Sequence, residues 1–374
     1  MNLFYFIILG ILISFSLPAR SQISGNVTSP KLVLHLPPGD NNLRNSEGDF
    51  ITLKDGRILF VYSHFSGSSV SDHTSAHLAG RFSDDGGKTW SKEDITVIEN
   101  EGNMNIMSVS LLRLKNGNIA LFYLRKNSME DCIPMMRIST DEAITWSNPI
   151  KCITDKKGYF VLNNDRVIQL KNGRILMAVA LHKTTNETSW RDKAKIYSYY
   201  SDDNGLTWHC SEEVSNPLGV VTQEPGVIEL KNGTILMIIR ASGGFQQLSF
   251  SKDKGKTWSP MVTSNIHSPL SPASIARIKS TGDLLLAWNN NGSNQSRTPL
   301  TLAVSKDEGQ TWELVTDIET DPDGSYCYVA IHFTKNDVLL SYLVQSVTQN
   351  PTFCSTKVVL LRQKDIYKKN KNTL

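Results

Sequence analysis

The chain has 374 residues, of which 40% are hydrophobic and 20% charged, and it carries a net charge of +3. That balance is ordinary for a globular protein and excludes a disordered or low-complexity chain. So small a net charge gives no reason to expect nucleic acid or an anionic membrane as a partner.

Residues 1–21 read as a signal peptide. Leu3–Leu17 is mostly apolar, and Ala19 and Ser21 supply the small-x-small pattern of a cleavage site. The run falls short of the roughly 20 apolar residues that a membrane helix needs. No later stretch is apolar enough to cross a bilayer. A secreted or periplasmic chain is expected, with residues 22–374 forming one domain and no membrane span after cleavage. Five cysteines remain: Cys132, Cys152, Cys210, Cys327 and Cys354. The odd count and the lack of CxxC spacing point to scattered buried thiols rather than zinc ligands.

An octapeptide, Ser-x-Asp-x-Gly-x-Thr-Trp, recurs at Ser83–Trp90, Ser139–Trp146, Ser201–Trp208, Ser251–Trp258 and Ser305–Trp312. The second copy has Ala143 in place of Gly. A regular period of this length signals a repeat fold. In each copy the Asp carboxylate can accept hydrogen bonds from its own turn, and Gly can take a positive φ. Trp can plug the space between sheets. Identical copies at a regular spacing argue for a structural motif, an Asp box, rather than for repeated catalytic acids.

Between the boxes lies a second repeat, an apolar strand, a polar turn and another apolar strand. Its copies are Ile51–Tyr62, Leu112–Leu124, Val167–Leu181, Val227–Arg240, Ile275–Asn289 and Val329–Leu343. Turns such as Lys115-Asn116-Gly117 are hairpin signals. Six hairpins and five boxes predict an all-β, six-bladed β-propeller, its last blade completed by Val358–Leu361 and Lys31–Leu36.

In such a fold the chemistry sits where the inner strands begin. Counting nine or ten residues back from each turn glycine, with Asn336 standing in for the last, selects six places. They are Ser46-Glu47, Met107-Ser108, Asn163-Asn164, Gln223-Glu224, Pro272-Ala273 and Tyr326-Cys327. Arg240 lies as far beyond its turn as Glu224 lies before it, so the two are expected to face each other. The alternative for that pair is a cross-strand ion pair on a solvated rim, worth little.

The chain here resembles the sialidase (neuraminidase) family of the bacterial and animal type. Glu224 and Arg240, across a Leu-Lys-Asn-Gly hairpin, match the family's Glu and second Arg. Arg297, ahead of Leu302 and the Ser305 box, matches the third. Tyr326 opens a Tyr-Cys-Tyr-Val strand like the family's Tyr-Ser-x-Leu, with Tyr328, two residues on and on the same face by alternation, as the competing tyrosine. Arg44 stands where the first Arg would, and Asp72 lies in the loop Ser66–Ala76, where the acid would be. The family's aromatic-Arg-Ile-Pro motif is replaced by Leu43-Arg44-Asn45-Ser46-Glu47. That leaves Glu47 as an extra acid near the site, with Asp49 close by. Glu47 and Asn164 are further site candidates.

The resemblance implies an exo-acting glycoside hydrolase that releases terminal sialic acid with retention. Planar arginines suit a substrate carboxylate. A neutral Tyr nucleophile avoids repulsion by that carboxylate. Glu224 would take the phenol proton, and Asp72 would protonate the leaving oxygen and then activate water. No metal or organic cofactor is required. The implied partners are sialylated glycans or another acidic sugar. Two other readings stand beside this one: a glycosidase or lyase for another acidic sugar, and a non-catalytic carbohydrate-binding propeller. His73 and His77 lack a third metal ligand in the sequence. Trp190 is either a sugar-stacking platform or a loop plug.

Overall fold

The computed structural model describes residues 29–292 and 295–368. The signal peptide predicted over residues 1–21 lies outside them. Among the described residues the fold is all-β, with a single short 3-10 turn at Gln363–Asp365. No helix there is long and apolar enough to cross a membrane.

All six predicted hairpins form. The first joins Arg44–Thr52 to Ile58–Phe65, and the last joins Gly324–Phe333 to Asp337–Ser346. Four of them close on a five-residue loop, in which the first residue's N–H donates to the last residue's carbonyl. Leu53 to Arg57, Leu114 to Asn118, Leu170 to Arg174 and Leu230 to Thr234 are these pairs. The turn glycine in each, such as Gly117 with φ of 90°, has a backbone that L side chains resist. The last hairpin differs: Thr334 N–H donates to the Asp337 carbonyl, so its loop is one residue shorter.

The strands form four sheets, none closed on itself. Two are four-stranded antiparallel units. One runs from Thr222–Glu229 through Ile235–Ala241 and Phe245–Ser251 to Val262–His267, and the other from Ser274–Arg277 to Glu313–Glu319. The two larger sheets are antiparallel groups linked by a lone parallel pair, Arg44 with Cys354 in one and Tyr159 with Cys132 in the other. Lys31–Leu36 pairs antiparallel with Cys354–Arg362, so both ends of the described chain share a sheet, as the hairpin reading expected.

The Asp boxes knot the outer turns. In the first, Asp85 Oδ1 accepts from Thr89 N, Asp85 Oδ2 accepts from the Thr89 hydroxyl, and Ser83 Oγ accepts from Gly87 N. The same set recurs around Asp141, Asp203, Asp253 and Asp307. Ala143 follows the pattern of the glycines and holds φ at 66°. Trp90 packs on Phe50 and Phe60, with ring centroids 6.0 and 6.2 Å away. Cys132, Cys152, Cys327 and Cys354 are buried, and all five thiols are free.

Candidate active site

The inner strands do not begin as regular ladders. Pairing slips between Ser46 and Asp49, between Met107 and Ser110, between Gln223 and Pro225, and between Cys327 and Ala330. At the apex of these bulges Glu47, Ser108, Glu224 and Tyr328 hold φ at 53°, 64°, 35° and 58°. Asp165, just before Val167–Gln169, has φ of 53°. Bulges of this kind re-aim one side chain out of the pleat. Four polar side chains are thus turned out of their sheets at matching positions.

The four meet in two pairs, Ser108 with Glu47 and Tyr328 with Glu224. The Tyr328 hydroxyl donates to Glu224 Oε1 at 3.4 Å, and Arg240 Nη1 donates to Glu224 Oε2 at 2.5 Å. Arg297 lies beside them, with its guanidinium carbon 5.9 Å from the Tyr328 ring centroid and Nη1 donating to Cys327 Sγ at 3.1 Å. Glu224, Arg240, Arg297 and Tyr328 line one cavity of about 320 Å³, and Asp72 closes its side. Burial, with the neighbouring Glu224, holds the Tyr328 phenol well above its usual range despite Arg297 and Arg240. A base must therefore be at hand to ionise it, and Glu224 is in contact.

Asp72 is fixed through its backbone. Its carbonyl accepts from Asn105 Nδ2 at 2.8 Å and from Lys126 Nζ at 2.6 Å. Its carboxylate is paired with Arg44 Nη1. Burial tends to raise this carboxyl, but Arg44 and Lys126 outweigh it and hold it below the ordinary range.

Several sequence assignments change. Tyr326 is not in the cavity. It is 3% exposed and packs edge-on against Tyr342, with centroids 6.4 Å apart. Two causes combine. The short last turn shifts the count, and the bulge after Cys327 breaks the alternation that would keep Tyr326 and Tyr328 on one face. Arg44 lies behind Asp72 rather than on the cavity wall. It is buried, and its remaining donors go to Glu47 Oε2 at 3.0 Å, Ser46 Oγ at 3.0 Å and the Val70 carbonyl at 3.1 Å. Glu47 is also behind the wall and accepts from Ser108 Oγ at 3.1 Å. Burial raises its carboxyl, with Arg44 opposing. Asn164 does not reach the cavity, and its side chain is spent on backbone carbonyls. Glu224 and Arg240 do meet, but Arg240 pairs with Gln223 in the ladder, and the bulge brings Glu224 into reach.

The opposite wall carries residues that the repeats did not flag. His182 stacks on Trp190, with centroids 4.5 Å apart and planes at 13°, and Tyr159 meets the same indole edge-on at 4.9 Å. Tyr159 and His182 lie outside the hairpin-start positions, and nothing in the local sequence marks them. His73 lines the cavity, while His77 packs against His64 with the rings tilted by 33°. A larger cleft, of about 880 Å³, is elsewhere. It lies at the turn end of the last hairpin, beside Lys335 and Asn336, and holds none of the predicted site residues.

Comparison with known proteins agrees with this architecture. A solved protein of unknown function from Dyadobacter fermentans aligns over 90% of this chain and 98% of its own, with a TM-score of 0.70 and 20% identity. A Trypanosoma rangeli sialidase, solved with 2,3-difluorosialic acid as a covalent intermediate, aligns over 86% of this chain and 55% of its own. Its TM-score is 0.66 and its identity 16%. The fold is therefore that of the sialidase β-propellers. Residues 82–340 match the family described as BNR repeat-like domain, and the chain belongs to that family. A sialidase from Bacteroides fragilis is 24% identical over 366 residues, covering 88% of this chain and 64% of the relative. The chain spans less than two thirds of the length of the curated sialidases it matches.

Proposed function

We propose that this protein is a retaining exo-sialidase acting on sialylated glycans, built as a single six-bladed propeller and exported by its leader. The observation that carries the reading is the Tyr328–Glu224 contact inside a cavity that also presents Arg240, Arg297 and Asp72. In this reading Arg240 and Arg297 hold the substrate carboxylate, which suits their planar donor forks. Arg44 acts from behind, through Asp72 and Glu47.

Tyr328 is the nucleophile in place of Tyr326. Its oxygen bonds the anomeric carbon as Glu224 accepts the phenol proton. The glycosidic bond breaks, and its electron pair leaves with the aglycone oxygen, which takes a proton from Asp72, a carboxyl that is protonated for this step once the bound substrate carboxylate offsets Arg44 and Lys126. Asp72 then accepts a proton from water, the new hydroxyl displaces Tyr328, and Glu224 returns the phenol proton. A neutral phenol avoids the repulsion that a carboxylate nucleophile would meet from the substrate. The His182–Trp190 pair forms the apolar wall of the pocket.

The test is hydrolysis of a fluorogenic sialoside by the purified protein and its Tyr328→Phe variant. Turnover is expected in the wild type, with kcat lower by about 10²–10⁴-fold in the variant, the range set by loss of one acid–base or nucleophilic group. Incubation with 2,3-difluorosialic acid should leave an adduct on the peptide holding Tyr328. A fully active Tyr328→Phe variant would overturn the nucleophile. A wild-type protein that binds sialic acid without cleaving any sialoside would favour the binding-module reading.

A further inference from the structure

Tyr328 holds a backbone conformation that aromatic residues avoid, with φ of 58°. Such a conformation persists only where the surroundings impose it. Side chains of three residues distant in sequence, Asn164, Asp165 and Ser274, converge on the backbone of residues 328–331. Asn164 Nδ2 donates to the Tyr328 carbonyl at 3.1 Å. Asp165 Oδ2 accepts from Ile331 N at 2.9 Å. Ser274 Oγ donates to the Val329 carbonyl at 2.5 Å and accepts from Arg166 Nη1 at 3.1 Å.

Asn164 and Asp165 therefore touch the strand at Tyr328 directly, and Arg166 reaches it through Ser274. Asn164 is fully buried and also donates to the Gly48 carbonyl at 2.9 Å, next to Glu47. Its amide can face these two carbonyls only with its NH₂ group. Arg166 is anchored in turn by the Ala273 carbonyl at 2.8 Å.

We propose that Asn164-Asp165-Arg166 is a clasp that positions Tyr328, with Asn164 as its central member. None of the three lines the cavity, so they act through the Tyr328 backbone and not on the substrate. The inference rests on the reading of Tyr328 as nucleophile for its effect on catalysis, and on geometry alone for its effect on Tyr328.

Asn164→Leu keeps the volume and removes both donors. Three quantities are read in the full-length exported protein: kcat and KM for a fluorogenic sialoside, the ¹³Cζ resonance of Tyr328 assigned by Tyr328→Phe, and the thermal midpoint. The clasp predicts a kcat loss of about tenfold or more with KM within about twofold, and a displaced Tyr328 resonance. Asn164→Asp is the second variant. Only its protonated carboxyl can donate, so its kcat should fall as pH rises through that group's titration, which a space-filling role does not predict. If Asn164→Leu does not fold, Ser274→Ala removes one bond of the clasp and should give a smaller change of the same kind. An unmoved Tyr328 resonance in the folded variants overturns the clasp. If the wild type cleaves no sialoside, the sialidase reading fails, and the Tyr328 resonance still decides the clasp.

Discussion

Tyr328 donates its hydroxyl to Glu224 at 3.4 Å, and both residues sit at bulges with positive φ on different sheets. The pair is thus made by backbone distortion at two places, and each bulge is needed for the other to have a partner. The Arg240 contact at 2.5 Å holds Glu224 Oε2 in place while Tyr328 approaches Oε1.

The two tyrosines of Tyr-Cys-Tyr separate cleanly. Tyr326→Phe removes a hydroxyl packed between Gly324 and Tyr342 and should leave turnover within about twofold, with under about 1 kcal/mol of stability lost. Tyr328→Phe should cost the large factor given above. Steady-state kinetics and thermal melts on both variants check this, and loss of turnover in Tyr326→Phe alone would return the nucleophile to that position.

Asp72 is expected to matter in proportion to the leaving group. Asp72→Asn should lower kcat on a natural sialyl-galactoside by about 10²–10⁴-fold, the usual span for a general acid. An aryl sialoside with an acidic phenol needs little protonation and should lose much less. Equal losses on the two substrates would assign Asp72 to binding, through its pair with Arg44.

The second Asp box carries a built-in defect. Ala143 holds φ of 66° where the other boxes use glycine. Ala143→Gly should raise stability by up to about 1 kcal/mol, less whatever contact the methyl makes with the core. Chemical denaturation measures this. The reverse change at Gly255 should destabilise, since a Cβ there would come within 2.6 Å of Leu176.

The boxes also set an acid limit. Hydrogen bonds from the Thr145 and Thr311 side chains lead the interactions that pull Asp141 and Asp307 down to about 2. A depressed carboxyl stabilises the fold above its unfolded value of about 3.9, and the gain is lost as pH falls through the folded one. The boxes' contribution to the thermal midpoint should therefore be lost between about pH 4 and 2. Asp141→Asn and Asp307→Asn should lessen that loss.

Much of this architecture was legible in the sequence. The Asp boxes and hairpin turns mark where sheets begin and end, because their φ angles and caps are local properties. Glu224 and Arg240 follow from the register that those turns set, whereas Arg297 and Asp72 come from the family resemblance. The count went astray where regularity stops. The turn at Thr334–Asp337 lacks a glycine and is a residue short, and the bulge at Tyr328 cancels the period-2 rule. Tyr159 and His182 stayed hidden for another reason. They reach the cavity from positions that no repeat marks, so only tertiary packing brings them there. Asn164 was placed in the right region but given the wrong task, since a buried amide that serves carbonyls looks in sequence like one that serves a ligand.

The pairing of Lys31–Leu36 with Cys354–Arg362 gives the site an order of assembly. Arg44, Asp72 and Glu224 leave the ribosome well before Tyr328, and the sheet that bears Tyr328 also takes in Lys31–Leu36, the first strand among the described residues. The early strand has to wait, unpaired, until its partner exists. Contacts so distant in sequence are slow to form. The cavity is therefore incomplete until the last hairpin is made, and a chain interrupted late in synthesis carries Asp72, Glu224, Arg240 and Arg297 without Tyr328 between them.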